Sequence, residues 1–119
     1  MTETGDTTGA SFADLVEDAV ESLPDDLRAF MSNVAIVIED EPLDGLPLLG
    51  LYQGIPLTRR SSFYAGVAPD KITIYQLLLE RLYGTDADAL RRAVRRVVLH
   101  EIAHHFGISD ERLRELDRY

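Results

Sequence analysis

The chain has 119 residues, 45% of them hydrophobic and 8% aromatic, which is enough for one compact domain with a single core and too little for two. It contains no cysteine, which excludes a disulfide framework and thiolate zinc sites; a metal would have to be held by carboxylates and by its three histidines, His100, His104 and His105. A net charge of −9 argues against general nucleic-acid binding and against docking on an anionic membrane surface. Residues 1–58 hold 12 acidic and one basic group while residues 59–119 hold 9 and 11, so the excess acidity lies away from the histidines.

Residues 1–10 are small, polar or acidic after the initiator Met, and read as a disordered tail ahead of one domain over residues 11–119. They lack the basic start and apolar stretch of a signal peptide. No apolar run approaches the roughly 18–20 residues that span a bilayer, so the expected compartment is the cytoplasm.

Order begins at Ser11, where Ser11-x-x-Asp14 has the form of a capping box before Phe12, Leu15, Val16, Ala19 and Val20 at helical spacing. Pro24 should end that helix or begin the next, whose expected buried positions are Leu27, Phe30 and Met31. Residues 34–38, Val-Ala-Ile-Val-Ile, predict a buried strand. Residues 42–70 are punctuated by Pro42, Pro47, Pro56 and Pro69 and leave room for one short strand near 48–53. Lys71, Ile72, Thr73, Ile74 and Tyr75 alternate polar with apolar, the pattern of a half-buried or edge strand. Gln76–Tyr83 predicts a short helix ended by Gly84. Thr85-x-x-Asp88 predicts the cap of a long helix from Ala89 to about Phe106, stopped by Gly107, and Ser109 can cap a last helix through Leu116. This order of elements predicts an α+β domain with a small sheet packed on the long helix and with additional N-terminal helices.

The long helix carries His100-Glu101-Ile102-Ala103-His104. Histidines four apart lie one turn from each other on one helical face, close enough to bind one Zn²⁺, with Glu101 beside them as a general base. Gly107 and Asp110 extend the pattern to H-E-x-x-H-x-x-G-x-x-D. A catalytic zinc needs three protein ligands and one open position, and a glycine turn would bring Asp110 back as the third, anionic ligand. Helical projection places Leu90, Ala93, Val94, Val97, His100, Glu101 and His104 in one arc and Leu99, Ile102 and Phe106 opposite. His105 projects away from the pair. Arg91, Arg92, Arg95 and Arg96 read as a solvated basic face.

The block from His100 to Asp110 resembles the signature of zincin metallopeptidases whose third ligand is aspartate. The chain from residue 12 to residue 119 is similar to the small bacterial minimal-zincin, or zincin-like, metallopeptidases. Supporting matches are Phe12-Ala13-Asp14-Leu15-Val16, Leu23-Pro24, the segment from Asn33 to Pro42, Leu51-Tyr52-Gln53-Gly54-Ile55-Pro56-Leu57 and Pro69-Asp70-Lys71-Ile72-Thr73-Ile74-Tyr75. The resemblance implies a zincin-like fold, zinc as cofactor on His100, His104 and Asp110, and Glu101 as the catalytic base. It also implies an edge strand that pairs with extended substrate, for which Ile72, Thr73, Ile74 and Tyr75 are the candidates. Only about ten residues follow Asp110, which points to a short peptide or an unfolded protein segment as substrate, or to a partner or second copy completing the cleft. The oxyanion donor is left open among Tyr75, Tyr83 and Tyr119. The alternative reading is a zinc-binding but inactive interaction module, whose site would be closed by a fourth ligand such as His105.

Overall fold

The computed structural model describes residues 11–56 and 70–116. The expected tail over residues 1–10, Pro69 and Tyr119 lie outside the described residues. Helix α1 (Phe12–Glu21) opens with the expected capping box, in which the Ser11 side chain accepts from the Asp14 amide and the Asp14 carboxylate accepts from the Ser11 amide. Helix α2 (Asp25–Arg28) is a single turn that passes into a 3-10 turn, Ala29–Met31. Because the helical period ends there, the expected buried stripe fails in part. Met31 is buried, while Leu27 and Phe30 are exposed.

Strands β1 (Val34–Glu39), β2 (Gly50–Gln53) and β3 (Asp70–Tyr75) form a mixed sheet in the order β1-β3-β2. β1 runs parallel to β3 and β2 antiparallel to it. The expectation of an edge strand at residues 72–75 is therefore corrected: β3 is the central strand, with Ile72 and Ile74 at 0% exposure and Thr73 and Tyr75 buried as well. Alternation reports which side chains face the core, but not how many strands lie alongside. Thr and Tyr tolerate a buried strand, so the same pattern fits the middle of this sheet. The available edge near the helix is β2, which starts at Gly50, two residues later than the expected segment.

Helix α3 (Gln76–Tyr83) leads through Gly84 into α4 (Ala87–His105). The α4 cap is Asp86, whose carboxylate accepts from the Asp88 and Ala89 amides, rather than Thr85. A carboxylate one residue further along satisfies the same orphan donors and adds favourable charge at the dipole's positive end. Register places Ile36, Ile38, Ile72, Ile74, Gly50 and Tyr52 on one face of the sheet. Against that face the core gathers Leu15, Val16 and Ala19 of α1, Leu79 of α3, and Val94, Val98 and Ile102 of α4. The buried seam of α4 runs through Val94, Val98, Ile102 and His105, so the residues expected in a single arc divide between this seam and its margin. Helix α5 (Asp110–Leu116) follows the α4 C-cap. Among the described residues no helix is long and apolar enough to cross a membrane.

Candidate metal centre

The C-terminal end of α4 builds the site from a local turn. Gly107 adopts φ 88°, a conformation that costs a side-chain-bearing residue about 1–2 kcal/mol. Its amide donates to the His104 carbonyl at 2.9 Å and the Ile108 amide donates to the Ala103 carbonyl at 2.9 Å, the paired bonds of a Schellman turn. Ser109 then caps α5 by accepting from the Arg112 amide at 3.2 Å. Asp110 thereby stands in the first turn of α5, where backbone amides favour a negative charge, and faces back toward α4.

The result is one cluster. Asp110 Oδ1 lies 2.9 Å from His100 Nε2 and 3.0 Å from His104 Nε2. One donor atom from each of the three residues falls within 4.8 Å of the others. The turn also orients a ring: His104 Nδ1 donates to the Ile108 carbonyl at 2.9 Å, which aims Nε2 at the cluster. A tetrahedral zinc bonded at about 2.0–2.1 Å would set its donors roughly 3.3 Å apart, so the two Asp110 contacts fit the ion with shifts of a few tenths of an ångström, while the widest pair, within 4.8 Å, closes by up to about 1.5 Å through rotation of the side chains. Two imidazoles and one carboxylate are also a donor set that zinc accepts.

Glu101 is 8% exposed and sits under β2. Burial pushes its carboxyl above the usual carboxylate range, the charges of His100 and His104 work against that rise, Asp110 adds to it, and the Tyr52 backbone amide, donating to the carboxylate, opposes it. In Asp110 burial also pulls upward, but hydrogen bonds and charge from the two histidines win and hold its carboxyl below the usual range. Gly50 lets β2 come this close. A Cβ there would lie 2.7 Å from Val97 Cγ1 and 3.1 Å from Glu101 Cγ.

The outer edge of β2 faces the cluster. Tyr75 N donates to the Leu49 carbonyl at 3.0 Å, and antiparallel alternation then turns the amide groups of Gly50 and Tyr52 away from β3. Two grooves flank this edge. One, of about 270 Å³, touches Tyr52, Gly54, His104, Gly107 and Ile108. The other, of about 330 Å³, lies between segment 47–50 and Arg96, Val97, His100 and Glu101.

His105 is not part of the cluster. It is 1% exposed, with Nδ1 2.9 Å from Asp70 Oδ2 and Nε2 3.2 Å from the Phe30 carbonyl. Asp70 Oδ2 also accepts from the Tyr52 hydroxyl at 2.6 Å. This buried network ties β2, β3 and the end of α4 together, and sequence reasoning missed it. The available signal was Asp70, an acid in register with the apolar positions Ile72 and Ile74 of the alternating strand, which needs a buried partner. Tyr75, one candidate oxyanion donor, is buried in the central strand, where burial raises its phenol pKa, aided by Glu39 and Asp44.

A small α+β domain whose long helix brings two histidines and a turn-borne aspartate to one point has a donor group that could hold a metal ion. The sequence model for zincin-like metallopeptidases matches residues 31–119, and the chain belongs to that family. Among curated proteins, none matches this chain.

Proposed function

We propose that the protein is a zinc-dependent peptidase acting on extended peptide segments, with His100, His104 and Asp110 as metal ligands and Glu101 as general base. The observation that carries this reading is the open cluster: three donor residues converge, and His105, the candidate fourth, is held by Asp70 and Phe30 instead. Three protein ligands leave a position for water or substrate, the pattern of catalytic rather than structural zinc. When bound, zinc supplies Lewis acidity, lowering the pKa of a water toward about 7 and polarising a carbonyl.

Glu101 takes the proton of the attacking water and returns it to the departing amine as the C–N bond breaks. Its raised pKa suits that exchange, since it holds a proton more readily than an exposed glutamate. The peptide lies along β2, pairing with the outward amide groups of Gly50, and not along Ile72, Thr73, Ile74 and Tyr75, whose strand is paired on both sides. Strand addition requires a segment with its backbone free, which favours short peptides and unfolded segments over folded proteins.

The test is hydrolysis of a mixed peptide library by zinc-loaded protein and by Glu101→Gln. Removal of the general base is expected to lower turnover by about 10²–10⁴-fold with bound zinc retained. Unchanged turnover excludes the base role, and a zinc-loaded wild type that binds peptides without cleaving them leaves the interaction module as the function.

A further inference from the structure

The groove beside His100 and Glu101 carries a charge that hydrolysis itself does not use. Its walls are mostly apolar, from Pro47, Leu48, Leu49 and Val97, and Arg96 stands among them. Arg96 is exposed, and among the described residues its guanidinium has no ion pair or hydrogen bond, whereas Arg91 on the same helix is paired with Asp88 at 3.2 Å. Arg92, one turn further from the site on the same row, is also exposed and unpaired. Arg92 and Arg96 thus form a local basic row leading to His100 in a chain of net charge −9. The expected solvated face is in this part a groove wall.

Distance sets what Arg96 can meet. It lies four residues, about 6 Å along the axis, from His100. An extended peptide advances about 3.4 Å per residue, so the guanidinium is within reach of a group one or two residues from the bond at the metal centre. A peptide antiparallel to β2 places its C-terminal part at the start of β2, which is the end beside segment 47–50 and Arg96. A planar guanidinium in a partly apolar groove recognises carboxylates through paired hydrogen bonds.

We propose that Arg96 is the specificity-determining residue of this site and binds a substrate carboxylate on the C-terminal side of the scissile bond. This inference rests on the peptidase reading. The carboxylate comes either from an acidic side chain or from the chain terminus.

The experiment compares matched peptides carrying Glu or Gln one or two residues after the scissile bond, each with a free or amidated C-terminus. The readout is the ratio of kcat/KM within each pair, for wild type, Arg96→Lys and Arg96→Gln. Wild type is expected to favour the carboxylate member by about 10- to 100-fold, the range of a charge-assisted hydrogen bond, with the ratio falling to about one in Arg96→Gln and to an intermediate value in Arg96→Lys. A Glu/Gln ratio assigns the side chain and an acid/amide ratio assigns the terminus; either supports the proposal. Ratios near one in wild type, or a preference that survives Arg96→Gln, overturn it. If wild type cleaves no peptide, the peptidase reading fails by itself. Fluorescence anisotropy of the same peptides on zinc-loaded protein then decides, because carboxylate-dependent binding lost in Arg96→Gln upholds the Arg96 assignment and carboxylate-independent binding refutes it.

Discussion

Glu101 and His105 show how two polar residues on one helix take opposite parts. Glu101 is buried beside the cluster, and burial outweighs the Tyr52 backbone amide that donates to its carboxylate, so its proton is held more tightly in the folded chain than in the unfolded one. In metal-free protein, stability from this group is fully present below the unfolded value of about pH 4.3 and is lost as pH rises through the higher folded value. Metal-free Glu101→Gln lacks that loss, and denaturant melts from about pH 4 to pH 7 are expected to show a flatter stability profile than wild type. A profile as steep as wild type would mean that Glu101 pays no burial penalty. His105, by contrast, is satisfied on both ring nitrogens. Asp70→Ala removes the acceptor shared by His105 and Tyr52 and is expected to cost about 1–3 kcal/mol in chemical denaturation, the cost of leaving buried polar groups unsatisfied.

At the scale of elements, the turn after α4 and the contact between β2 and α4 control the site differently. Gly107→Ala forces a side chain into a left-handed conformation, with an expected loss of about 1–2 kcal/mol, and loosens the placement of both Asp110 and the Ile108 carbonyl. Zinc affinity, read by competition with a chromogenic chelator, is expected to fall with it. Gly50→Ala drives a methyl group into Val97 and Glu101, an overpacking that costs about 1–3 kcal/mol. Here kcat/KM is expected to fall while zinc affinity holds, because β2 supplies no metal ligand. The double variant with Val97→Ala relieves the closest clash and is expected to recover part of the activity.

For the whole molecule, the proposed function makes zinc a ligand of the folded state. At a free concentration 100 times its dissociation constant it adds about 2.7 kcal/mol of stability, so a chelator is expected to lower the melting temperature and Asp110→Ala to shrink that difference. What could be read in advance follows the same division of range. His100, Glu101, His104, Gly107 and Asp110 were legible because helical period and one glycine turn place them without reference to the rest of the chain. The central position of β3 was not legible, since it depends on pairing with residues 34–39 on one side and 50–53 on the other. The Tyr52, Asp70 and His105 network was hidden for the same reason, with partners 18, 35 and 53 positions apart.

The three proposed metal ligands lie within eleven consecutive positions, from the end of α4 to the first turn of α5, and this locality has a kinetic consequence. Closing a ten-residue loop takes about 10–100 ns, far less than the assembly of a sheet from distant strands. The ligand triad can therefore close around an ion while β2 and β3 are still finding each other. Refolding with zinc present should yield a chain that is metallated early and competent late, with the lag between the two reporting when β2 settles over Glu101.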